Sequence, residues 1–227
     1  MKKTVLIITT LLLSVSVLAQ NDVTKFLGIP IDGFKPDMIK KLKAKGFTEH
    51  LYEPNVLLGE FNGRDVEVSV VTNNNKVYRI FLEDAYAVDE YNIKIRYNTL
   101  CKQFENTKRY VSLAPEGQAI PDNEDISDEM LIRNKRYEAS YFQIPDQVDT
   151  IAVQTQLREK LLAKYTEEQL ANPTPEMKED ALKATLEIAF DIYEKKSVWF
   201  TIRKDGSRYR ILMYYDNKYN EANGEDL

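Results

Sequence analysis

The apolar positions of this chain change period several times, and each change marks an element. Phe26 to Ile31 reads as extended, Asp32-Gly33 as a turn, and the stretch from Pro36 to Gly46 carries Met38, Ile39 and Leu42 on one helical arc. Proline suits the first turn of a helix, and Gly46 stands where a left-handed C-terminal cap is needed, so both helix ends are written locally. Phe47 is placed to close over the end. Lys35, Lys40, Lys41, Lys43 and Lys45 accompany this helix, with Lys40, Lys41 and Lys43 spread over well more than a third of its circumference, as on a solvated face. A phosphate site would want backbone N–H groups at a glycine-rich helix start, and only Gly33 is present.

Period two takes over in "VLLGEFNGRDVEVSVV", centred on Asn62-Gly63, a strong two-residue hairpin turn. The implied pairing sets Gly59 opposite Val66 and Leu57 opposite Val68, leaving Leu58, Glu60, Asp65 and Glu67 on the other face. Thr72–Asn75 turns the chain into "KVYRIFL", whose Tyr78, Ile80 and Leu82 are expected on the valine face, with Arg79 near the acids. Ile93, Tyr97, Leu100, Cys101 and Phe104 then recur at helical spacing. Residues 112–129, with two prolines and a cluster of acids, read as a surface connection, and Arg136–Ile144 as extended.

Residues 148–170 and 175–194 read as two helices joined at "ANPTPE", the second capped by Thr174 and opened by Pro175. Ile151, Leu157, Leu161, Leu162 and Tyr165 line the first; Leu182, Ile188, Ala189 and Ile192 line the second. The last element, "SVWFTIRKDGSRYRILMYY", reads as a hairpin on Asp205-Gly206. It sets Val198, Phe200 and Ile202 opposite Met213, Ile211 and Tyr209, with Trp199 facing Leu212 and Thr201 facing Arg210. These elements predict an α+β fold: an antiparallel sheet of about six strands, helices on one face, and an inserted helical hairpin. Residues 20–227 read as one such domain, with a subdivision near 112–135 as the alternative.

The first residues change the picture of where the protein works. Met1-Lys2-Lys3 is a basic start, Thr4 to Leu18 is uncharged and apolar, and Val17-Leu18-Ala19 offers small residues for cleavage, so residues 1–19 are expected to be a signal peptide. The apolar run is shorter than a bilayer span, no later segment reaches that length, and no cysteine follows it to take a lipid. Export to the periplasm or beyond is the expectation. Cleavage would remove two lysines and no acid, moving the formal charge from −5 to −7, which leaves no overall attraction to nucleic acid. With 43% hydrophobic residues and 14 Tyr the chain has the material for a core, and its single cysteine, Cys101, means that packing rather than an internal disulfide must hold it.

The segments "KFLGIPIDGFKPDMIKKLKAKGF", "LLGEFNGRDVEVSVVTNNNKV", "KRYEASYFQIP", "KYTEEQLANPT" and "KSVWF…YYDNKYNEANGEDL" together resemble a group of uncharacterised exported proteins of gut Bacteroidetes. The resemblance spans most of the chain after the signal peptide. It implies export and carries no activity, substrate or functional residue to transfer. The helix-then-meander layout is also similar to small periplasmic domains of the β-lactamase-inhibitor-protein type, which bind other proteins.

Candidate chemistry is sparse. His50 is the only histidine, so neither a histidine-based metal cluster nor a Cys/His zinc site can be assembled, and no cofactor is expected. The acids Asp122, Glu124, Asp125, Asp128 and Glu129 invite a calcium reading, but Ile126, Ser127 and Arg133 fall where an EF-hand loop needs its fifth-, sixth- and twelfth-position residues. Glu60, Asp65 and Glu67 are the only carboxylates grouped well enough for a hydrolase. Trp199, Leu212 and Tyr214, with Thr201 and Arg210 beside them, form an apolar and aromatic set on the outward side of the last hairpin. The inserted helices are expected to cover this face; left open, it would be a binding site. The sequence therefore predicts an exported, non-enzymatic binding protein, with Trp199, Arg210, Leu212 and Tyr214 as the binding set and a protein or other envelope macromolecule as partner. A carboxylate-dependent hydrolase and a structural envelope component are the alternatives.

Overall fold

The computed structural model describes residues 22–114, 117–222 and 224. The signal peptide expected at 1–19 lies outside the described residues. Where the pattern predicts one extended segment after Thr24, the chain instead folds back on itself as β1 (Lys25–Phe26) and β2 (Ile29–Pro30), turning at Leu27 and Gly28 with φ of 50° and 79°. Helix α1 (Lys35–Ala44) carries Pro36 in its first turn and stops before Gly46, whose φ of 101° lets the Gly46 amide reach back to Lys43. Met38 and Leu42 are buried, each burial contributing roughly 2 kcal/mol, and Phe47 closes the end.

Strands β3 (Thr48–Glu49), β4 (Val56–Phe61), β5 (Arg64–Asn73), β6 (Lys76–Asp84), β7 (Tyr110–Val111), β8 (Glu138–Gln143), β9 (Ser197–Asp205) and β10 (Arg208–Asp216) make one antiparallel sheet. Its order is β3-β4-β5-β6-β10-β9-β8-β7, eight strands rather than about six. The surplus comes from β3 and β7, which at two residues each are too short to show any alternation. Strands on both sides of residues 112–135 belong to this one sheet.

Asn62 and Gly63 turn with φ of 55° and 71°, and Gly59 faces Val66 and Leu57 faces Val68 as the pattern predicts. The β5–β6 register shifts at Val71/Thr72, so Val77 takes the inward position expected of Tyr78. The last hairpin is displaced by two residues from its expected pairing. Trp199 faces Tyr214, Thr201 faces Leu212 and Phe200 faces Met213, because the loop sits on Gly206-Ser207, with the positive φ at Gly206 (62°) that a II′-type turn requires at its first position. A shift of two keeps every side chain on its predicted face.

Helix α2 (Glu90–Glu105), capped by Asp89, lays Ile93, Tyr97, Leu100, Cys101 and Phe104 on the inner side of the sheet, where they meet Val66, Val68, Ile80, Leu82, Phe200 and Met213. The supposed surface connection contains α3 (Ile126–Ile132) and two buried anchors, Ile120 and Ile126. Asn98 bonds both the N–H and the C=O of Ile120 at 2.8 Å, and Glu90 accepts from the Ile126 amide at 3.0 Å, so side chains of α2 hold the segment down. Its acids serve locally: Asp125 caps α3 and Glu124 accepts from Lys135 and Tyr137.

The inserted hairpin comprises α4 (Thr150–Leu162), α5 (Glu167–Ala171) and α6 (Pro175–Glu194), the predicted first helix being broken by a new capping box at Thr166/Gln169. Met177, Ala184 and Ile188 are buried, while Ile151, Leu162 and Leu182, expected on packed stripes, are exposed. The edge of β8 beside this insertion is closed by a side chain, since Gln118 accepts from the Ser140 N–H (2.6 Å) and donates to the Ser140 C=O (3.2 Å).

Candidate functional site

Alternation along three neighbouring strands fixes what the outer side of the sheet displays. It presents Arg79, Phe81 and Glu83 from β6, Arg210, Leu212, Tyr214 and Asp216 from β10, and Trp199, Thr201 and Arg203 from β9. The register aligns Ser69, Phe81, Tyr214, Trp199 and Ser140 in one row across five strands. The Trp199 and Tyr214 rings stack at 3.9 Å and 12°, and Phe81 continues the row 5.0 Å from Tyr214. All three rings are half-buried, each shielding its neighbour.

Along the strand direction, a charged group closes the set on each side of the row. Arg79 donates from Nε to Asp216 Oδ1 at 2.5 Å and from a terminal nitrogen to Oδ2 at 2.8 Å, and the Trp199 indole N–H donates to Oδ2 at 3.0 Å. The guanidinium lies 5.0 Å from the Tyr214 ring and 5.8 Å from that of Trp199, within cation–π range. At the other end Leu212 is nearly covered, and Arg210 bridges Glu83 (3.3 Å) and Asp205 (3.0 Å). Burial raises the Glu83 carboxyl above its ordinary range, aided by Glu67 opposite it and opposed by Arg203 and Arg210; burial likewise raises the Tyr214 hydroxyl.

Among the described residues, the inserted helices do not cover this face. Helix α6 meets the outer side at β8, where Phe190 packs on Phe142 at 6.3 Å, and Trp199 and Tyr214 keep part of their surface in solvent. Of the four residues singled out from sequence, Trp199, Arg210 and Tyr214 share this open face, and Leu212 lies on the same side but is nearly covered. Sequence reasoning missed Phe81, Arg79 and Asp216, which join them only because β6 pairs with β10.

No family model matches the chain, and no curated protein or solved structure matches it.

The carboxylate set divides. Glu60 and Asp65 face each other across β4 and β5 and are exposed, whereas Glu67 sits between Leu58 and Glu83. Arg79, expected beside these acids, is committed to Asp216. Glu60 and Asp65 edge a hollow of about 200 Å³ that also reaches Asp84 and Arg96, a buried ion pair at 3.1 Å. Arg96 further donates to the Asn62 carbonyl at 3.4 Å, so it clamps α2 to the β4–β5 turn. Among the described residues no group of three or more His, Cys, Asp or Glu side chains is placed to hold a metal ion, and no helix is long and apolar enough to cross a membrane. His50 accepts at Nδ1 from the amides of Tyr52 and Glu53 and caps a surface turn.

A cleft of about 760 Å³ that the sequence reading did not anticipate opens between the β1–β2 turn, the C-terminal end of α2, and Ile144–Asp146. Its sequence signal is the basic and aromatic run Lys108-Arg109-Tyr110, which has no periodicity because the chain leaves a helix there and enters a two-residue strand.

Proposed function

We propose that this is an exported, non-enzymatic protein that binds another protein through the outer face of its sheet. The observation carrying the reading is the Phe81–Tyr214–Trp199 row, left open by the helices and bracketed by Arg79 and Arg210. Aromatic residues and arginine dominate the energetics of protein interfaces, and rings already locked by stacking lose little entropy on binding. Because Asp216 and Glu83 already hold the arginines, the face offers apolar contact and directional hydrogen bonding rather than a bare charge. Export rests on the basic and apolar character of residues 1–19.

The hydrolase alternative draws less support. Catalytic carboxylates need confinement from water and a positioned substrate, and Glu60 and Asp65 lie exposed on a strand face.

The test uses photo-crosslinking residues at Ser69 and Ser140, which flank the three rings across the strands, with Lys41 on helix α1 as control. In envelope fractions one discrete partner is expected from both row positions and not from Lys41. Ser140→Arg, at the exposed rim beside Trp199, should abolish its recovery from the Ser69 position while leaving the melting temperature within a few degrees of wild type. Equal recovery from Lys41, or recovery indifferent to that substitution, would remove the outer face from consideration.

A further inference from the structure

The cleft beside the β1–β2 turn is built differently from the sheet face. Phe61 and Tyr215 meet edge to face at 6.4 Å and 88°, Phe104 and Tyr110 at 4.7 Å and 69°, and all four line the cleft with Leu100. Its volume, about 760 Å³, falls within the range of small-molecule sites. The polar groups of its wall are satisfied internally. Gln143 accepts from the Lys25 amide at 2.8 Å and donates to the Lys25 carbonyl (3.1 Å) and the Tyr110 hydroxyl (3.2 Å), and Lys25 pairs with Asp146.

Two cations on the rim are not used in this way. Lys108 and Arg109 are exposed, line the cleft, and have no ion-pair partner among the described residues. The C-terminal end of α2 contributes a partial negative charge of about half a unit to the same rim, less than the two full positive charges beside it. A chain of formal charge −5 thus places unpaired positive charge at the mouth of an aromatic cleft.

We propose that this cleft binds an aromatic anion, its ring system against the half-buried Phe61 and Tyr110 and its carboxylate or sulfonate at Lys108 and Arg109. Apolar burial supplies most of the affinity and the cations supply the preference for charge. The site is independent of the protein-binding reading of the sheet face.

The experiment is a fluorescence titration of the full chain with 1-anilinonaphthalene-8-sulfonate and with its uncharged analogue N-phenyl-1-naphthylamine. It is repeated on the double variant Lys108→Glu/Arg109→Glu, which alters only exposed side chains, and on Ser140→Arg, an exposed position on the sheet face. Saturable one-site binding of the sulfonate is expected, weakened about tenfold or more by the double reversal, while binding of the neutral analogue changes less than about twofold. Ser140→Arg should leave both unchanged. The proposal is overturned if the sulfonate fails to saturate below about 1 mM, if the reversal leaves its affinity intact, or if Ser140→Arg changes the affinity for either probe and so places it on the sheet face.

Discussion

Trp199 and Tyr214 are direct cross-strand partners whose rings lie face to face, 3.9 Å between centroids and 12° between planes. Trp199 is the only tryptophan in the chain, so its emission reports on this pair alone. Tyr214→Ala should shift that emission to the red and lower stability by about 2–3 kcal/mol, combining lost area with a lost aromatic pair. Tyr214→Phe keeps the ring and should stay within about 0.5 kcal/mol in a urea titration. A large effect of the phenylalanine variant would mean that the hydroxyl, not the stack, is what matters.

The Arg96–Asp84 pair makes a second prediction. Arg96 has 7% of its surface exposed, and its Nε has no hydrogen-bond partner among the described residues, so Asp84 is the carboxylate that balances it. Asp84→Ala should cost about 3–5 kcal/mol by stranding a buried guanidinium. Adding Arg96→Met should recover most of that loss, as denaturant midpoints of the single and double variants will show.

Gly59 is glycine because of Phe47. A Cβ built at position 59 would lie 2.4 Å from the Phe47 ring, which packs over the β4 backbone. Gly59→Ala is therefore expected to destabilise by about 1–3 kcal/mol, and Phe47→Leu in the same chain to relieve part of it. Additive losses would show that ring and strand are not in contact.

Cys101 is fully buried on the inner face of α2, and burial pushes its thiol up to about 11. At pH 8 it is protonated and shielded, so a disulfide reagent should label it only through unfolding, with a rate that rises with urea. Stoichiometric labelling of the native protein within seconds would contradict the packing of α2 on the sheet.

Glu124 sets a pH dependence. Hydrogen bonds from Lys135 and Tyr137 hold its carboxyl below its ordinary 4.5, so the stabilisation is fully present above pH 4.5 and is lost as pH falls through the depressed folded value. Glu124→Gln should lose under about 1 kcal/mol at pH 7, and its stability difference from wild type should shrink toward zero on acidification below pH 4.5. Urea midpoints taken across that range measure the difference directly.

What was legible in the sequence were segments long enough to alternate against one buried side: β4 to β6, β9, β10, α1 and α2. Long-range holds were not. Ile120 and Ile126 look like strays among acids until Asn98 and Glu90 reach them from α2. Leu27 carries no turn signal, yet it takes φ of 50° beside Gly28 to close the first hairpin. Asp205-Gly206 gave a plausible turn one residue early, and the face survived the error because the resulting shift was even. The aromatic row was half readable from alternation in β9 and β10. Its third ring and its Arg79–Asp216 end depend on a strand pairing 137 residues apart, which no local pattern encodes.

The Gln118 amide on Ser140 acquires a further meaning beside an open aromatic face. A sheet that shows rings to solvent and also offers bare strand margins could grow by recruiting strands from other molecules. Here β3 and β7 are two residues long, and Gln118 occupies the exposed backbone of Ser140 as another strand would. The short β3 and β7 and the Gln118 amide thus leave little bare margin beside the rings, so a partner taken at the face, as proposed, would be held by side chains rather than by an added strand.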